Sequence, residues 1–186
     1  MSVQIAKRCF NVSDYYRMAE AGILTEDDRV ELIEGEIVVM SPIGSRHAAC
    51  VRRVEKLLER AISHLSLVSV QNPIALDDYS EPEPDIALLR PREDFYASAH
   101  PTPDDVLLVI EVADSSDRYD REVKVPLYAR AGIPETWVVA LLADTIHQYG
   151  DAVDGNYQTH NEFKHGDSIT SRVLPELKVA VNEILG

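Results

Sequence analysis

The 186 residues suffice for one domain with a sizeable core, and 45% apolar with 27% charged side chains are the proportions of an ordinary soluble protein. No apolar run approaches a membrane span, residues 1–8 lack the apolar core of a signal peptide, and Cys9 and Cys50 form no Cys-x-x-Cys pattern. A membrane span, a disulfide scaffold and a thiolate zinc site are therefore not expected, a cytoplasmic location is, and a formal charge of −14 lowers the odds of tight, sequence-independent grip on nucleic acid.

In chain order, Ser13 is placed to cap a helix over 14–21 that Gly22 ends. Residues 29–40 read as two strands joined at Glu34-Gly35, a hairpin. Residues 45–63 carry Ala49, Val51, Val54, Leu57, Leu58, Ala61 and Ile62 at helical spacing, which predicts the longest helix of the chain. On it, Arg52, Arg53, Lys56 and Arg60 are the nearest approach to a basic rim, although a solvated helix face accounts for them more simply.

Residues 65–71 alternate as a strand, a turn-rich linker leads to Pro82-Glu83-Pro84-Asp85, and 86–89 form a short apolar strand. The segment 90–105, with three prolines at 91, 101 and 103, reads as a loop. Residues 106–113 are a branched apolar run of the kind buried on both faces, with Glu111 inside it. A largely helical stretch is expected over 117–131, with Gly132-Ile133-Pro134 as its stop and Pro126 as a kink unless it falls in a first turn. Strands follow at 136–142 and 145–149, then a polar loop at 150–155, an outer strand at 157–163, and a terminal strand or helical turn at 177–185. This order predicts a single α/β (α+β) domain over 1–186, a mixed sheet with helices packed on it.

A carboxylate inside a doubly buried strand must meet a cation, a donor network or a wet cleft, because isolated burial of its charge costs several kcal/mol or more. If the strands at 86–89 and 106–113 pair, Asp85 and Glu111 converge, and a hard divalent cation is the simplest way to keep both ionised. Lys124, on the following helix, is the natural cation to face them. Acid, acid and lysine on neighbouring elements point to hydrolysis of a phosphate ester by a magnesium site. The bland reading has one acid capping a turn and the other pairing with an arginine such as Arg130. Zinc-type His-Glu-x-x-His spacing, phosphate loops and nucleophile elbows are absent from the sequence.

The fragments at 29–38, 83–86 and 109–112, with Lys124, the stretch 128–135 and Trp137, resemble in their order the PD-(D/E)XK or restriction endonuclease-like superfamily. Within it they resemble a family of proposed endonucleases catalogued as a domain of unknown function. The resemblance implies a mixed β-sheet core flanked by helices, and Asp85, Glu111 and the Val112 backbone carbonyl as ligands of Mg²⁺, for which Mn²⁺ can substitute. It also implies DNA as substrate, no membrane and a homodimer. The usual motif places its lysine two residues after the second acid, where Ala113 stands; Lys124 matches the migrated position of the related family. Glu31, His47 and Gln71 fall at matching places, with Glu31 the best candidate for a further metal or water contact. The expected function is a Mg²⁺-dependent DNA endonuclease with catalytic Asp85, Glu111, Lys124 and Glu31. The alternatives are a non-catalytic nuclease-fold regulatory protein and a small-nucleotide phosphohydrolase.

Overall fold

The computed structural model describes residues 8–25 and 27–186. The stretch read above as lacking a leader lies, up to residue 7, outside the described residues. Helix α1 (Val12–Glu20) is capped by Asn11 rather than Ser13: the Asn11 side chain accepts from the Asp14 amide at 2.7 Å, and Asp14 reaches back to the Asn11 amide. Strands β1 (Val30–Ile33) and β2 (Glu36–Val39) form the expected antiparallel hairpin. Glu34 and Gly35 take φ of 49° and 79°, the left-handed pair that a two-residue connection requires.

Helix α2 (Ser45–Ile62) buries Cys50, Val51, Val54, Leu58 and Ile62 as one stripe. Next come β3 (Leu67–Val70), β4 (Ile86–Leu89) and β5 (Val106–Ala113). The helical stretch after β5 is α3 (Asp117–Tyr119), a π-helical turn (Asp120–Lys124) and α4 (Val125–Ala131). The wide turn resolves the proline problem. The Val125 amide donates to the Asp120 carbonyl, five residues back, and Pro126 then falls in the first turn of α4, where its missing N–H costs nothing. Gly132, at φ 83°, ends α4 in the left-handed conformation.

Strands β6 (Glu135–Ala140), β7 (Thr145–Val153) and β8 (Asn156–Lys164) complete a six-stranded sheet in the order β3-β4-β5-β6-β7-β8. Only β5 and β6 run parallel. The polar loop expected over 150–155 is instead the end of β7 and a tight turn at Asp154-Gly155, with φ of 50° and 75°. An outer hairpin carries polar side chains on its solvent face, and that polarity imitates a loop. A small pair, β9 (Ser168–Thr170) and β10 (Lys178–Ala180), precedes α5 (Val181–Leu185), so the terminal segment is both strand and helix; β9 was not anticipated.

The sheet is covered on both faces, which is why its central strands read as continuous apolar runs. Ile86, Leu88, Ile110 and Val112 pack with the buried stripe of α2. Ala87, Leu89 and Val109 face the other way, onto Leu127 and Tyr128 of α4. Strand alternation therefore sends Glu111, two residues from Val109, toward the segment that carries Lys124.

Candidate active site

Antiparallel pairing of β4 with β5 sets Ile86 opposite Ile110, so the residues just beyond, Asp85 and Glu111, are neighbours. The Asp85 amide lies 3.4 Å from Glu111 Oε2, and the Val112 amide donates to Asp85 Oδ2 at 2.9 Å. The convergence expected from two adjacent strands is present. Lys124 enters from the π turn: its Nζ lies 3.1 Å from Glu31 Oε2 and 3.3 Å from Glu111 Oε1. Glu31 comes from β1, and the same Oε2 accepts the Glu83 amide at 3.2 Å. Arg130, the cation of the bland reading, pairs with Glu34 at 2.7 Å instead.

His47 and Gln71 surround Asp85. His47 Nε2 is 3.0 Å from Asp85 Oδ2, and Gln71 Nε2 donates to Oδ1 at 3.3 Å. His47 sits in the first turn of α2, and its Nδ1 is buried without a partner among the described residues. These groups line a cleft of about 420 Å³ whose far wall is the apolar end of β2 and the loop after it, Val38 to Ile43.

Two residues at the site were not assigned to the acid cluster from sequence, where Tyr128 reads as core or as an aromatic that could stack on bases. The Tyr128 hydroxyl donates to Glu111 Oε1 at 2.6 Å from a fully buried ring. Asp120, one turn before Lys124, lines the cleft and is held by the Ser116 hydroxyl at 2.6 Å. Ser116, the residue before α3, thus holds Asp120 and makes no side-chain cap on that helix.

Negative charge is in surplus here. Glu31, Glu111 and Asp120 are buried around one buried ammonium. Burial pushes Glu111 up to about 8, against the pull of Lys124 and with the repulsion of Asp120 and Asp85 added. Burial likewise pushes Asp120 up to about 6. Burial works to lower the Lys124 pKa, yet Glu111, Glu31 and Asp120 overcome it and hold the side chain charged, above the usual lysine range. The hydrogen bond to Asp85 raises His47, with burial opposing.

Among the described residues no group of three or more His, Cys, Asp or Glu is arranged to hold a metal by itself. Mg²⁺ is commonly held by one or two carboxylates and keeps waters or phosphate oxygens on its other positions. Asp85 and Glu111, side by side in the cleft, are the two carboxylates that would hold such an ion, and its charge would offset the surplus of acids there.

A sequence profile described as "Uma2: Putative restriction endonuclease" matches residues 12–182. The chain belongs to the Uma2 family. No curated protein matches it. Among solved structures, a protein from Anabaena variabilis ATCC 29413, described as a "putative nuclease belonging to DUF820", aligns with a TM-score of 0.72 at 14% identity, covering 95% of this chain and 97% of that one. At that identity the likeness establishes the fold, a mixed sheet flanked by helices. In this Uma2 chain the acid pair and the lysine come from separate elements, so the π turn decides whether Lys124 can reach Glu111.

Proposed function

We propose that the protein is a metal-dependent endonuclease that hydrolyses phosphodiester bonds in DNA. The observation that carries this reading is Lys124 Nζ, brought from a helix to within 3.3 Å of Glu111 Oε1 beside Asp85. Two acids alone can bind a metal in an inert protein; an ammonium beside them adds a group able to act on phosphate. The family's description and that of the Anabaena structure support a nuclease role.

Asp85, Glu111 and the Val112 carbonyl would hold Mg²⁺, with Mn²⁺ a competent substitute. When bound, the ion would polarise the scissile phosphate and lower the pKa of a coordinated water. Lys124 orients the attacking water and offsets charge that develops on the phosphate oxygens. Glu31 has one oxygen committed to Lys124 and the Glu83 amide, so its role is to aim the ammonium. His47 and Gln71 fix the rotamer of Asp85. Cutting both strands of a duplex fits a homodimer with paired clefts, for which light scattering is the check.

The test is conversion of supercoiled plasmid in Mg²⁺ or Mn²⁺ by the wild type and by Glu111→Gln. Nicking by the wild type that chelator and Glu111→Gln both abolish is the expected result. Plasmid left intact while mononucleotides are hydrolysed would move the reading to a small-nucleotide phosphohydrolase, and no hydrolysis of either to a non-catalytic role.

A further inference from the structure

The cleft is poorly furnished for holding the phosphates on either side of the one it cuts. Glu31, Glu83, Asp85, Glu111, Asp114 and Asp120 line it, against the cations Arg29 and Lys124. Neither cation is free: Lys124 is engaged by Glu31 and Glu111, and Arg29 donates to the Ser41 carbonyl. A nucleic acid that enters must gain its electrostatic attraction elsewhere, because backbone binding rests on cations that displace counterions from phosphate.

Most described lysines and arginines are likewise committed to a carboxylate or a carbonyl. Among the described residues, four have side chains with no hydrogen bond or ion pair: Arg52, Lys56, Arg60 and Lys178. Three of the four are exposed on α2 at a spacing of i, i+4 and i+8. That spacing makes one row, about 12 Å long at 1.5 Å per residue, on the side opposite the buried stripe. Glu55 and Glu59 border it on one flank; on the other, Arg53 is spent on the Ile184 and Leu185 carbonyls.

The row is tied to the cleft by its own helix. Gly44 and His47, at the start of α2, line the cleft, and Arg46 reaches the cleft-lining Asp114 and the Leu141 carbonyl. We infer that the outer face of α2 is a docking surface for the backbone of nucleic acid, with Arg52, Lys56 and Arg60 each neutralising a phosphate of a segment that flanks the cleft. A DNA duplex presents one charge per about 3.4 Å of each strand, so a straight row of this length meets several phosphates. A lipid surface fits less well, since none of the exposed residues of α2 is apolar.

The inference rests on the nuclease reading only for the direction in which the bound strand runs, and the experiment separates the two. A fluorescein-labelled duplex of mixed sequence is titrated with protein in EDTA across a salt series, with the anisotropy read. The wild type should bind, with log Kd linear in log salt. The triple variant Arg52→Gln, Lys56→Gln, Arg60→Gln should lose more than tenfold in affinity at low salt and about 2.7 from the slope, at roughly 0.9 per phosphate contact. Glu55→Gln with Glu59→Gln should tighten binding. All substituted positions are exposed or half-buried, and circular dichroism checks folding. Unchanged affinity and slope in the triple variant would overturn the surface. So would a wild type that ignores DNA and binds phosphatidylserine vesicles. Hydrolysis of bis(p-nitrophenyl) phosphate, which has no flanking backbone, reports on the cleft alone: its failure in the wild type counts against the nuclease reading and leaves the anisotropy result to decide the surface.

Discussion

The hydroxyl of Tyr128 donates to Glu111 Oε1 at 2.6 Å, the same oxygen that lies 3.3 Å from Lys124 Nζ. One carboxylate oxygen is therefore held by two groups from successive helical turns, while Oε2 points to Asp85 and the cleft. The fixed oxygen sets the rotamer, and the other is left for a ligand. Tyr128→Phe removes the donor and keeps the ring. Because a buried group left without its hydrogen-bond partner costs about 1–3 kcal/mol, the variant should unfold at lower urea with an unchanged slope. A midpoint equal to that of the wild type would show that the bond adds nothing to stability.

The acid pair predicts a metal response that does not depend on finding the substrate. Mg²⁺ or Mn²⁺ at a hundredfold excess over Kd should stabilise the folded protein by about 2.7 kcal/mol, visible as a raised Tm. Asp85→Asn should lose that response, because the amide offers one neutral oxygen and keeps its contacts with His47 and Val112 only in part. Equal metal-induced shifts in the two proteins would place the ion somewhere else.

The proximity of Asp85 and Glu111 was legible because both strands are short apolar runs with an acid at a definable place, and strand pairing leaves few registers. Lys124 was legible as the nearest following lysine on a helix. Tyr128 was not, since an aromatic at helical spacing in an apolar segment reads as core, and here it is core and ligand to Glu111 at once. Asp120 sits in a charged run, Asp120-Arg121-Glu122, that looks like a solvated surface; the π turn rotates it inward, and no residue pattern announces that turn. Glu135 shows the same limit away from the cleft. It is fully buried, accepting from Trp137 and Gln148 on Oε1 and from the Ser171 hydroxyl and Arg172 amide on Oε2. Two of those donors lie more than thirty residues away, where local reading does not extend.

His147 on β7 predicts a pH effect remote from the acids of the cleft. It is buried, with Nδ1 3.1 Å from His160 Nε2, Nε2 3.4 Å from the Thr145 hydroxyl, and Glu162, Arg121 and Asp117 around it. Burial lowers its pKa first, and the nearby Arg121 and His160 lower it further. A folded pKa below the unfolded value means that the unfolded chain takes up the proton first. The contribution of His147 to stability is therefore complete above about pH 6.5 and is lost as pH falls from there through the folded pKa. His147→Gln should flatten this part of the stability profile, so the wild type and the variant should differ less at pH 5 than at pH 7.5. Parallel profiles measured by denaturant unfolding would refute the assignment.

Lys124 is where the enzymatic reading is most exposed to test, because its ammonium touches both Glu31 and Glu111 and so has a structural and a chemical role. Lys124→Ala leaves two buried carboxylates without their cation. Breaking a buried pair typically costs about 3–5 kcal/mol, so the variant should be clearly destabilised, and rates must be compared at a temperature where it is folded. Under that condition, with saturating Mg²⁺, cleavage should fall on the order of a hundredfold or more. Lys124→Arg separates the roles. A guanidinium keeps the charge and can pair with Glu31 and Glu111, which should return much of the stability; it is planar and wider, and does not present the compact ammonium needed to align water. Recovered stability with cleavage still depressed is the expected pattern. Wild-type cleavage in the alanine variant would remove Lys124 from the chemistry and leave it as the counterion of two buried acids.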